Sequence, residues 1–309
     1  MTDKMVSVVV PTYKGDEVIT RAVDSVLQQT YPNIEIIVVD DNSPESPERK
    51  ATEEVMHKYD NNNNVVYLKH EVNKNGAAAR NTGINFSHGD FIAFLDDDDW
   101  FLPEKIKYQI EYLQQHPEFA ACYCLAQREG APIETTPYMG DVSKELLMLK
   151  SRMFTPSLCF RKEAILAING FDESFRRHQD YELLLRFFQA GFRMGCVEII
   201  LVELGTGAGN NFPSADRQLE LKDNFLKLFN DSINLLDKSE PGFRKRVYAL
   251  HYGTVYVLYM TSHQFVKATK LASKYFFYSP YYFVLPMYHK VISFTSRKVK
   301  QIFNGDKES

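Results

Sequence analysis

No apolar run in the sequence is long enough to cross a lipid bilayer. The longest largely apolar stretch, Val247 to Met260, has about 14 residues, whereas a membrane-spanning helix needs about 20. The first apolar run, Val6 to Val10, is short and leads directly into Pro11, so it lacks the form of a secretory signal peptide. These absences predict a cytoplasmic protein.

Cysteine is also scarce, with four residues in a chain of 309. Without an export signal, these cysteines are expected to be reduced thiols. Cys122 and Cys124 are two residues apart in an apolar run, which places both on one buried face of a strand and does not favour a metal-binding pair. The composition, 44% hydrophobic and 25% charged, is that of an ordinary globular protein.

The first 125 residues alternate β-branched apolar runs with helical patterns. This alternation predicts βαβ units and a mostly parallel, buried sheet flanked by helices. The pattern is looser between 126 and 215, and the remainder of the chain reads as helices. The predicted strands are 6–10, 34–39, 65–68, 91–95, 120–125, 157–160 and 195–204, and the predicted helices are 16–29, 47–59, 76–87, 103–115, 180–190, 217–236, 243–262, 264–278 and 281–303.

Polar and acidic residues follow three of the predicted strands. They are Pro11 to Tyr13, Asp40 to Ser43, and the four consecutive aspartates Asp96 to Asp99. In such sheets ligands bind beyond the carboxyl ends of the strands, so these segments are expected to share one ligand-binding edge. Crowded carboxylates repel one another, and a divalent cation such as Mg²⁺ or Mn²⁺, shared with a substrate diphosphate, would relieve that repulsion.

Other interpretations of the aspartate cluster are open at this point. The cluster could simply end a strand and begin the next helix, where acidic residues suit the helix dipole. A calcium loop of the EF-hand type is not favoured, because Trp100 occupies its third acidic position. Aspartate-dependent phosphatases also place Asp-x-Asp after an apolar strand, but Trp100 stands where their pattern has Thr or Val.

Several motifs together resemble a known enzyme family. "VSVVVPTYKG", "IEIIVVDDNS", "NGAAARNTGI", "FIAFLDDDDWFLPEKI" and "INGFDESF" followed by "HQDYELLLR" match, in order and spacing, the family 2 glycosyltransferases. The resemblance covers about residues 5–205. It implies a GT-A fold, a Rossmann-like mostly parallel sheet flanked by helices, here with a C-terminal helical extension. It also implies transfer of a sugar, with inversion, from a nucleotide diphosphate donor to an acceptor hydroxyl.

The resemblance also implies a domain division and a set of donor-binding residues. Residues 1–215 would form the catalytic domain, with a nucleotide-sugar half (1–118) and an acceptor half (119–215), and 216–309 a helical region. Asp96 would face the ribose or donor sugar, Asp97 stands where relatives have a small residue, and Asp98 would hold Mn²⁺ or Mg²⁺ on the diphosphate. Asp99 would support the loop and cap the next helix. The remaining expected donor contacts are Pro11, Thr12 and Tyr13 at the nucleoside, Asp40 at the base edge, and Arg80.

The catalytic base is expected in the second half of the chain. The family has Glu-Asp at the start of a helix, and this sequence has Gln179-Asp180, so the resemblance implies that Asp180 removes the acceptor proton. Asp180 could instead be an ordinary helix N-cap. His178 is a rival base, because imidazole titrates near neutral pH.

The favoured function is an enzyme that transfers a sugar from a uridine diphosphate donor to a saccharide or polyprenyl-linked glycan, in surface polysaccharide or glycolipid assembly. Two other functions are weighed against it. The first is a non-catalytic nucleotide-sugar-binding assembly protein, because the acidic residue is missing at Gln179. The second, less favoured, is a magnesium-dependent phosphotransferase.

The last part of the chain has a composition of its own. Residues 241–309 contain 11 Lys and Arg, 2 Asp and Glu, and 16 of the 41 aromatic residues, although the whole chain carries a net charge of -4. Basic residues interleaved with Tyr and Phe fit either a helix lying on the inner face of the cell membrane or aromatic faces packed against the catalytic domain or a second subunit. No nucleic-acid-binding motif is recognised.

Overall fold

The computed structural model describes residues 4–175, 179–206 and 213–288. The chain divides into two compact units, Met1–Gly209 and Asn210–Ser309. In their described residues the first unit combines a sheet with helices, and the second is helical. No helix in the described part of the chain is both long and apolar enough to cross a membrane.

One sheet of nine strands forms the centre of the first unit in its described residues. The strands are β1 (Val6–Thr12), β2 (Ile34–Asp40), β3 (Val65–Lys69), β4 (Phe91–Phe94), β5 (Trp100–Phe101), β6 (Ala121–Arg128), β7 (Ala131–Pro132), β8 (Leu158–Arg161) and β9 (Met194–Leu204). Their order is β3-β2-β1-β4-β8-β6-β9-β5, with β7 paired to β6. The first four strands of that order are parallel, and β8 is antiparallel to both of its neighbours. The mixed, mostly parallel α/β architecture is as predicted.

Helices cover the sheet and connect its strands. In the first unit they are α1 (Ile19–Leu27), α2 (Pro47–Met56), α3 (Gly76–Phe86), α4 (Lys105–Gln115), α5 (Ser143–Leu147), α6 (Lys162–Ala167) and α7 (Gln179–Gln189), with short 3-10 turns at His57–Tyr59 and Thr155–Ser157. In the second unit they are α8 (Ala215–Leu228), α9 (Asn230–Ser239), α10 (Phe243–Thr261) and α11 (Phe265–Tyr275), a 3-10 turn at Phe276–Tyr278, and a helical stretch over 280–288.

Local sequence explains where α2 and α3 begin. The Ser46 hydroxyl accepts a hydrogen bond from the Arg49 backbone N–H, and the Asn75 side chain accepts from Ala77 and Ala78, so each helix has an N-cap of a favoured type. A Cβ at Gly83 would lie 2.3 Å from a methyl carbon of Val9. The glycine therefore lets α3 pack closely on β1.

Three details differ from the sequence predictions. The predicted helix 217–236 is two helices, α8 and α9, which meet at Phe229. Asp99 caps no helix, because α4 begins at Lys105 with Glu104 in the N-cap position. The short strands β5 and β7 and the short helices α5 and α6 were not predicted, since two to six residues carry too little periodicity.

The second unit is built around α10. Tyr252 stacks on Tyr275 of α11 with ring centroids 3.8 Å apart, and its hydroxyl hydrogen-bonds to Asp223 of α8. A Cβ at Gly253 would lie 2.3 Å from the Phe283 carbonyl oxygen, so the 280–288 stretch packs closely on α10. The rest of the helix predicted over 281–303 lies outside the described residues.

Candidate functional site

Parallel pairing brings the three polar segments to one edge of the sheet. Thr12, the last residue of β1, is the register partner of Asp40, the last residue of β2. Val9 of β1 pairs with Phe94 of β4, so the aspartates that follow β4 lie beside the end of β1. The expected clustering at the carboxyl ends of the strands is therefore present in the structure.

Asp97 holds the loop that follows β1. One of its carboxylate oxygens accepts from the Thr12 hydroxyl at 2.7 Å and from the Tyr13 backbone N–H at 3.3 Å. A Cβ at Gly15 would lie only 2.0 Å from the same oxygen, which explains the glycine. The Tyr13 ring is 53% exposed and available to a ligand, whereas Pro11 is buried within β1.

Asp40 is buried, with both carboxylate oxygens in use. Arg49 lies 3.0 Å from one oxygen, the Tyr67 hydroxyl donates to the same oxygen, and the other accepts from the Asn42 backbone N–H at 2.8 Å. Burial and the bond to Asp40 raise the pKa of the Tyr67 hydroxyl. Asp40 therefore anchors the end of β2, and its expected contact with a base edge stays a prediction.

Asp41, for which no separate role was predicted, orders the segment before α3. It accepts from the backbone N–H groups of Lys74 at 2.8 Å and Asn75 at 2.9 Å, and from the Asn73 side chain at 2.9 Å. The buried His70 ring lies 2.7 Å from the same carboxylate. Because Asn75 is the N-cap of α3, Asp41 sets the position of the helix that carries Arg80.

Arg80 connects the aspartate cluster to α7. Its guanidinium forms an ion pair with Asp96 and donates a 2.8 Å hydrogen bond to the side-chain oxygen of Gln179. Arg80 is 9% exposed, and its guanidinium carbon lies 5.4 Å from the centre of the Phe171 ring. The residue therefore links Asp96 of the aspartate cluster to the helix that carries Asp180.

Burial and mutual repulsion disfavour the charged forms of the other aspartates of the cluster. Burial, with further repulsion from Asp96 and Asp98, raises the pKa of Asp97 to about 6. Burial and the same two neighbours raise the pKa of Asp99 to about 8, and burial and Asp96 also raise the pKa of Asp98. Asp99 accepts from the Gly205 backbone N–H at 2.7 Å, so it supports a second loop.

Asp180 lies in the first turn of α7, after Gln179, and not at the N-cap. Burial raises the pKa of its carboxyl group to about 6, with Arg80 opposing the increase. The carboxylate accepts from the Tyr181 backbone N–H at 2.9 Å. The rival base, His178, lies outside the described residues.

A cavity of about 300 Å³ brings the aspartate cluster and Asp180 together. Three aspartates of the cluster line it, namely Asp96, Asp98 and Asp99, together with Asp180. Thr12, Tyr13 and Asp40 do not line this space. The sequence reasoning missed the seven other described wall residues, because they come from segments without a recognised motif. They are Arg128, Phe154, Thr155, Pro156, Leu204, Gly205 and Thr206.

The residues present fit a divalent cation only if a ligand completes its coordination. Asp96 and Asp98 offer the hard oxygen atoms that Mg²⁺ and Mn²⁺ prefer, and they line an open cavity. Within the described ranges, no group of three or more His, Cys, Asp or Glu residues is arranged to hold a metal ion by itself. The donor set therefore fits a cation that is shared with the oxygens of a diphosphate.

The sequence matches the model for glycosyl transferase family 2 over residues 7–195, more than half of the chain. The chain belongs to this family. The matched region contains the whole acidic edge and Asp180. It ends within β9, so the helical second unit lies outside the family match.

Curated relatives of this chain include two bacterial proteins. An uncharacterized glycosyltransferase of Haemophilus influenzae is 32% identical over 191 residues, which are 60% of this chain and 62% of that protein. The amylovoran biosynthesis glycosyltransferase AmsB of Erwinia amylovora is 29% identical over 62% of this chain and 67% of its own length. The chain therefore spans about three fifths of the Haemophilus relative.

Solved structures establish that the fold is GT-A. Staphylococcus aureus TarS 1-349, in complex with UDP-GlcNAc, aligns with a TM-score of 0.62 at 17% identity, over 93% of this chain and 91% of that chain. The mannosyltransferase PcManGT of Pyrobaculum calidifontis, in complex with GDP-Man and Mn²⁺, aligns with a TM-score of 0.60 at 14% identity, over 93% and 86%. The fold expected from the sequence is confirmed.

Proposed function

We propose that this chain is an inverting glycosyltransferase that moves a sugar from a nucleotide diphosphate donor to an acceptor hydroxyl in surface polysaccharide or glycolipid assembly. One observation carries the proposal: a single cavity is lined by Asp96, Asp98 and Asp180. Transfer needs donor contacts that hold the anomeric carbon in place and a base beside the acceptor hydroxyl that attacks it, and this cavity holds candidates for each. The family and the name of AmsB, which refers to amylovoran biosynthesis, support the process.

On the donor side, the proposed contacts are Thr12 and Tyr13 at the nucleoside and Asp96 at the ribose or sugar. Asp97 orders the Thr12–Tyr13 loop, and Arg80 holds Asp96 in place. Asp98 would hold Mn²⁺ or Mg²⁺, whose charge, when the cation is bound, stabilises the departing diphosphate. The proposed nucleotide is uridine diphosphate, as in the TarS complex and in the name of the Escherichia coli relative WfgD, a UDP-Glc:alpha-D-GlcNAc-diphosphoundecaprenol glucosyltransferase.

On the acceptor side, Asp180 accepts the proton of the attacking hydroxyl. With a pKa of about 6 the carboxylate is mostly ionised at neutral pH, yet it is a stronger base than an ordinary aspartate. Its position in the first turn of α7 is fixed through Gln179, which accepts from Arg80. A saccharide or polyprenyl-linked glycan would supply the hydroxyl.

Gln179 was the ground for a non-catalytic alternative, because the family pattern that the sequence resembles has a glutamate at this position. The side-chain oxygen of Gln179 accepts from Arg80 at 2.8 Å, so an amide oxygen makes the contact that a carboxylate oxygen would make, in a weaker bond. The exchange therefore keeps the link between the aspartate cluster and α7. This contact favours the enzyme over the non-catalytic binding protein.

The proposal includes a membrane surface as partner of the second unit, placing the protein on the inner face of the cell membrane. Phe277 is 81% exposed and Tyr281 is 65% exposed, and both belong to the final described turns. Residues 241–305 contain no Asp or Glu. Exposed aromatic side chains in a segment without negative charge suit the headgroup region of an anionic bilayer.

The decisive experiment compares Asp180→Asn with the wild-type protein. A panel of nucleotide sugars is first scored by thermal shift with Mn²⁺, and nucleotide release is then measured with a membrane glycolipid extract as acceptor. We expect Asp180→Asn to abolish release while donor binding persists. Release that survives in Asp180→Asn but is lost in His178→Ala would transfer the base assignment to His178, and a wild-type protein that binds donors without release would favour the non-catalytic alternative.

A further inference from the structure

A second cavity, of about 370 Å³, adjoins the cavity at the aspartate cluster. The two cavities share three wall residues, Arg128, Phe154 and Asp180. The other described wall residues of the second cavity are Ile133, Arg152, Met153 and Tyr181. Asp180 therefore lies at the border between the two spaces, and the second space contains none of the clustered aspartates.

The wall of the second cavity is largely apolar and aromatic. Met153 is buried, Phe154 is half-buried, and the Tyr181 hydroxyl donates to the Ser151 backbone carbonyl at 2.9 Å, which fixes the direction of its ring. Flat apolar surfaces of this kind suit the faces of sugar rings or the first carbons of an alkyl chain. A volume of about 300–1,000 Å³ is the usual range for a small-ligand site.

Two arginines give the second cavity a positive charge. Arg128 and Arg152 are exposed, and within the described residues no carboxylate or carbonyl oxygen accepts a hydrogen bond from either guanidinium. Arg128 also faces the first cavity, where its charge opposes the rise in the pKa of Asp98. Arg152 lines the second cavity and not the first.

The position of Asp180 between the two cavities indicates which substrate the second cavity would bind. If Asp180 takes the proton of the acceptor hydroxyl, as in the proposed function on which this step rests, the acceptor lies on the side of Asp180 away from the aspartate cluster. We propose that this cavity binds an acceptor that carries a phosphate group, and that Arg152, assisted by Arg128, recognises that phosphate.

A phosphate group fits the charge and geometry of the two arginines in this cavity better than a carboxylate does. A planar guanidinium binds phosphate through two parallel hydrogen bonds, and a phosphate offers oxygens to two guanidinium groups at once. The two arginines contribute two positive charges, of which the Asp180 carboxylate balances one. A neutral glycan would leave Arg152 with no partner from the ligand.

The test uses the full chain, saturated with UDP and Mg²⁺ so that the donor site is filled. Isothermal titration calorimetry compares α-D-glucose 1-phosphate with the neutral methyl α-D-glucopyranoside. We expect the phosphate ester to bind about tenfold more tightly, as for a hydrogen bond between charged groups. Arg152→Gln should remove this preference, Arg152→Lys should keep part of it, and Arg217→Gln, at an exposed arginine of α8, should keep all of it.

Equal affinity of the wild-type protein for both probes, or a preference that survives in Arg152→Gln, would overturn the proposal. UDP binding is measured by thermal shift on the same preparations. A protein that fails to bind UDP would contradict the proposed donor site, whereas an Arg152-dependent phosphate preference would still stand. A third probe, decyl α-D-glucosyl phosphate, has one phosphate, as glucose 1-phosphate has, and differs from it by the alkyl chain. Tighter binding than glucose 1-phosphate therefore indicates a lipid-linked acceptor, and equal binding a water-soluble one.

Discussion

The pH dependence of transfer should show an acid limb that is set by Asp180. The carboxyl group has a pKa of about 6, because burial disfavours its charged form. As a base it works only when ionised, so the rate falls as the pH drops through that value. The ionised fraction is about 0.9 at pH 7 and about 0.1 at pH 5, which predicts a roughly tenfold loss of rate, whereas an ordinary aspartate would lose less than about a tenth.

The assay is nucleotide release at saturating donor, measured between pH 5 and pH 8 in buffers of constant ionic strength. Saturating donor matters because Asp97 has a similar pKa of about 6 and holds the Thr12–Tyr13 loop, which is the proposed nucleoside contact. The Asp97→Ser variant is the control, and it should retain the acid limb even where its overall rate is lower. A limb that disappears in Asp97→Ser would indicate that donor binding, and not the base, sets the profile.

The rival base can be separated from Asp180 by the same measurement. An unperturbed histidine has a pKa of about 6.5, so His178 would give an acid limb at nearly the same pH. We expect the His178→Asn variant to keep the limb, because Asp180 remains. A wild-type profile that is flat down to pH 5, or a limb that is lost with His178, would refute the assignment.

Three further outcomes are expected. Asp98→Asn should lower the rate of transfer by about 10² to 10³, because a cation contact to the leaving group is lost, whereas Asp97→Ser should cost about tenfold or less. Arg49→Met should lower the free energy of unfolding in urea by about 3–5 kcal/mol, because it leaves the buried Asp40 carboxylate without its cation. The control Lys50→Met, at an exposed position, should change that free energy very little. Phe277→Ser should weaken flotation with anionic liposomes, and Leu235→Ser, at a residue of α9 that is 69% exposed, should not.

The parallel part of the sheet was predictable from the sequence because its strands are buried on both faces. Uninterrupted β-branched runs such as those of β1 and β2 have few alternatives to that environment. Once the strands are known, parallel connections place their carboxyl ends on one edge. The clustering of Thr12, Asp40 and the four aspartates therefore follows from the pattern, without knowledge of any side-chain contact.

The partners of those residues were not predictable in the same way. Arg49 lies on α2, where most residues are polar or charged, so the sequence pattern does not distinguish this buried arginine from its exposed neighbours. Arg128 lies at the end of β6 and Arg152 lies in a loop, and both line the second cavity. Such contacts depend on the packing of distant segments, and local periodicity carries no information about it.

Gln179, which stands where the family pattern has a glutamate, affects the charge balance around Asp180, the proposed base. Arg80 donates to Asp96 and to the neutral Gln179, so within the described residues Asp96 is its one carboxylate ion-pair partner. The positive charge of Arg80 opposes the effect of burial on Asp180, whereas the charge of Asp96 adds to that effect. A second carboxylate at position 179 would offset more of the arginine's charge and raise the pKa of Asp180 further. A neutral residue at this position therefore favours a base that is buried but still largely ionised at neutral pH.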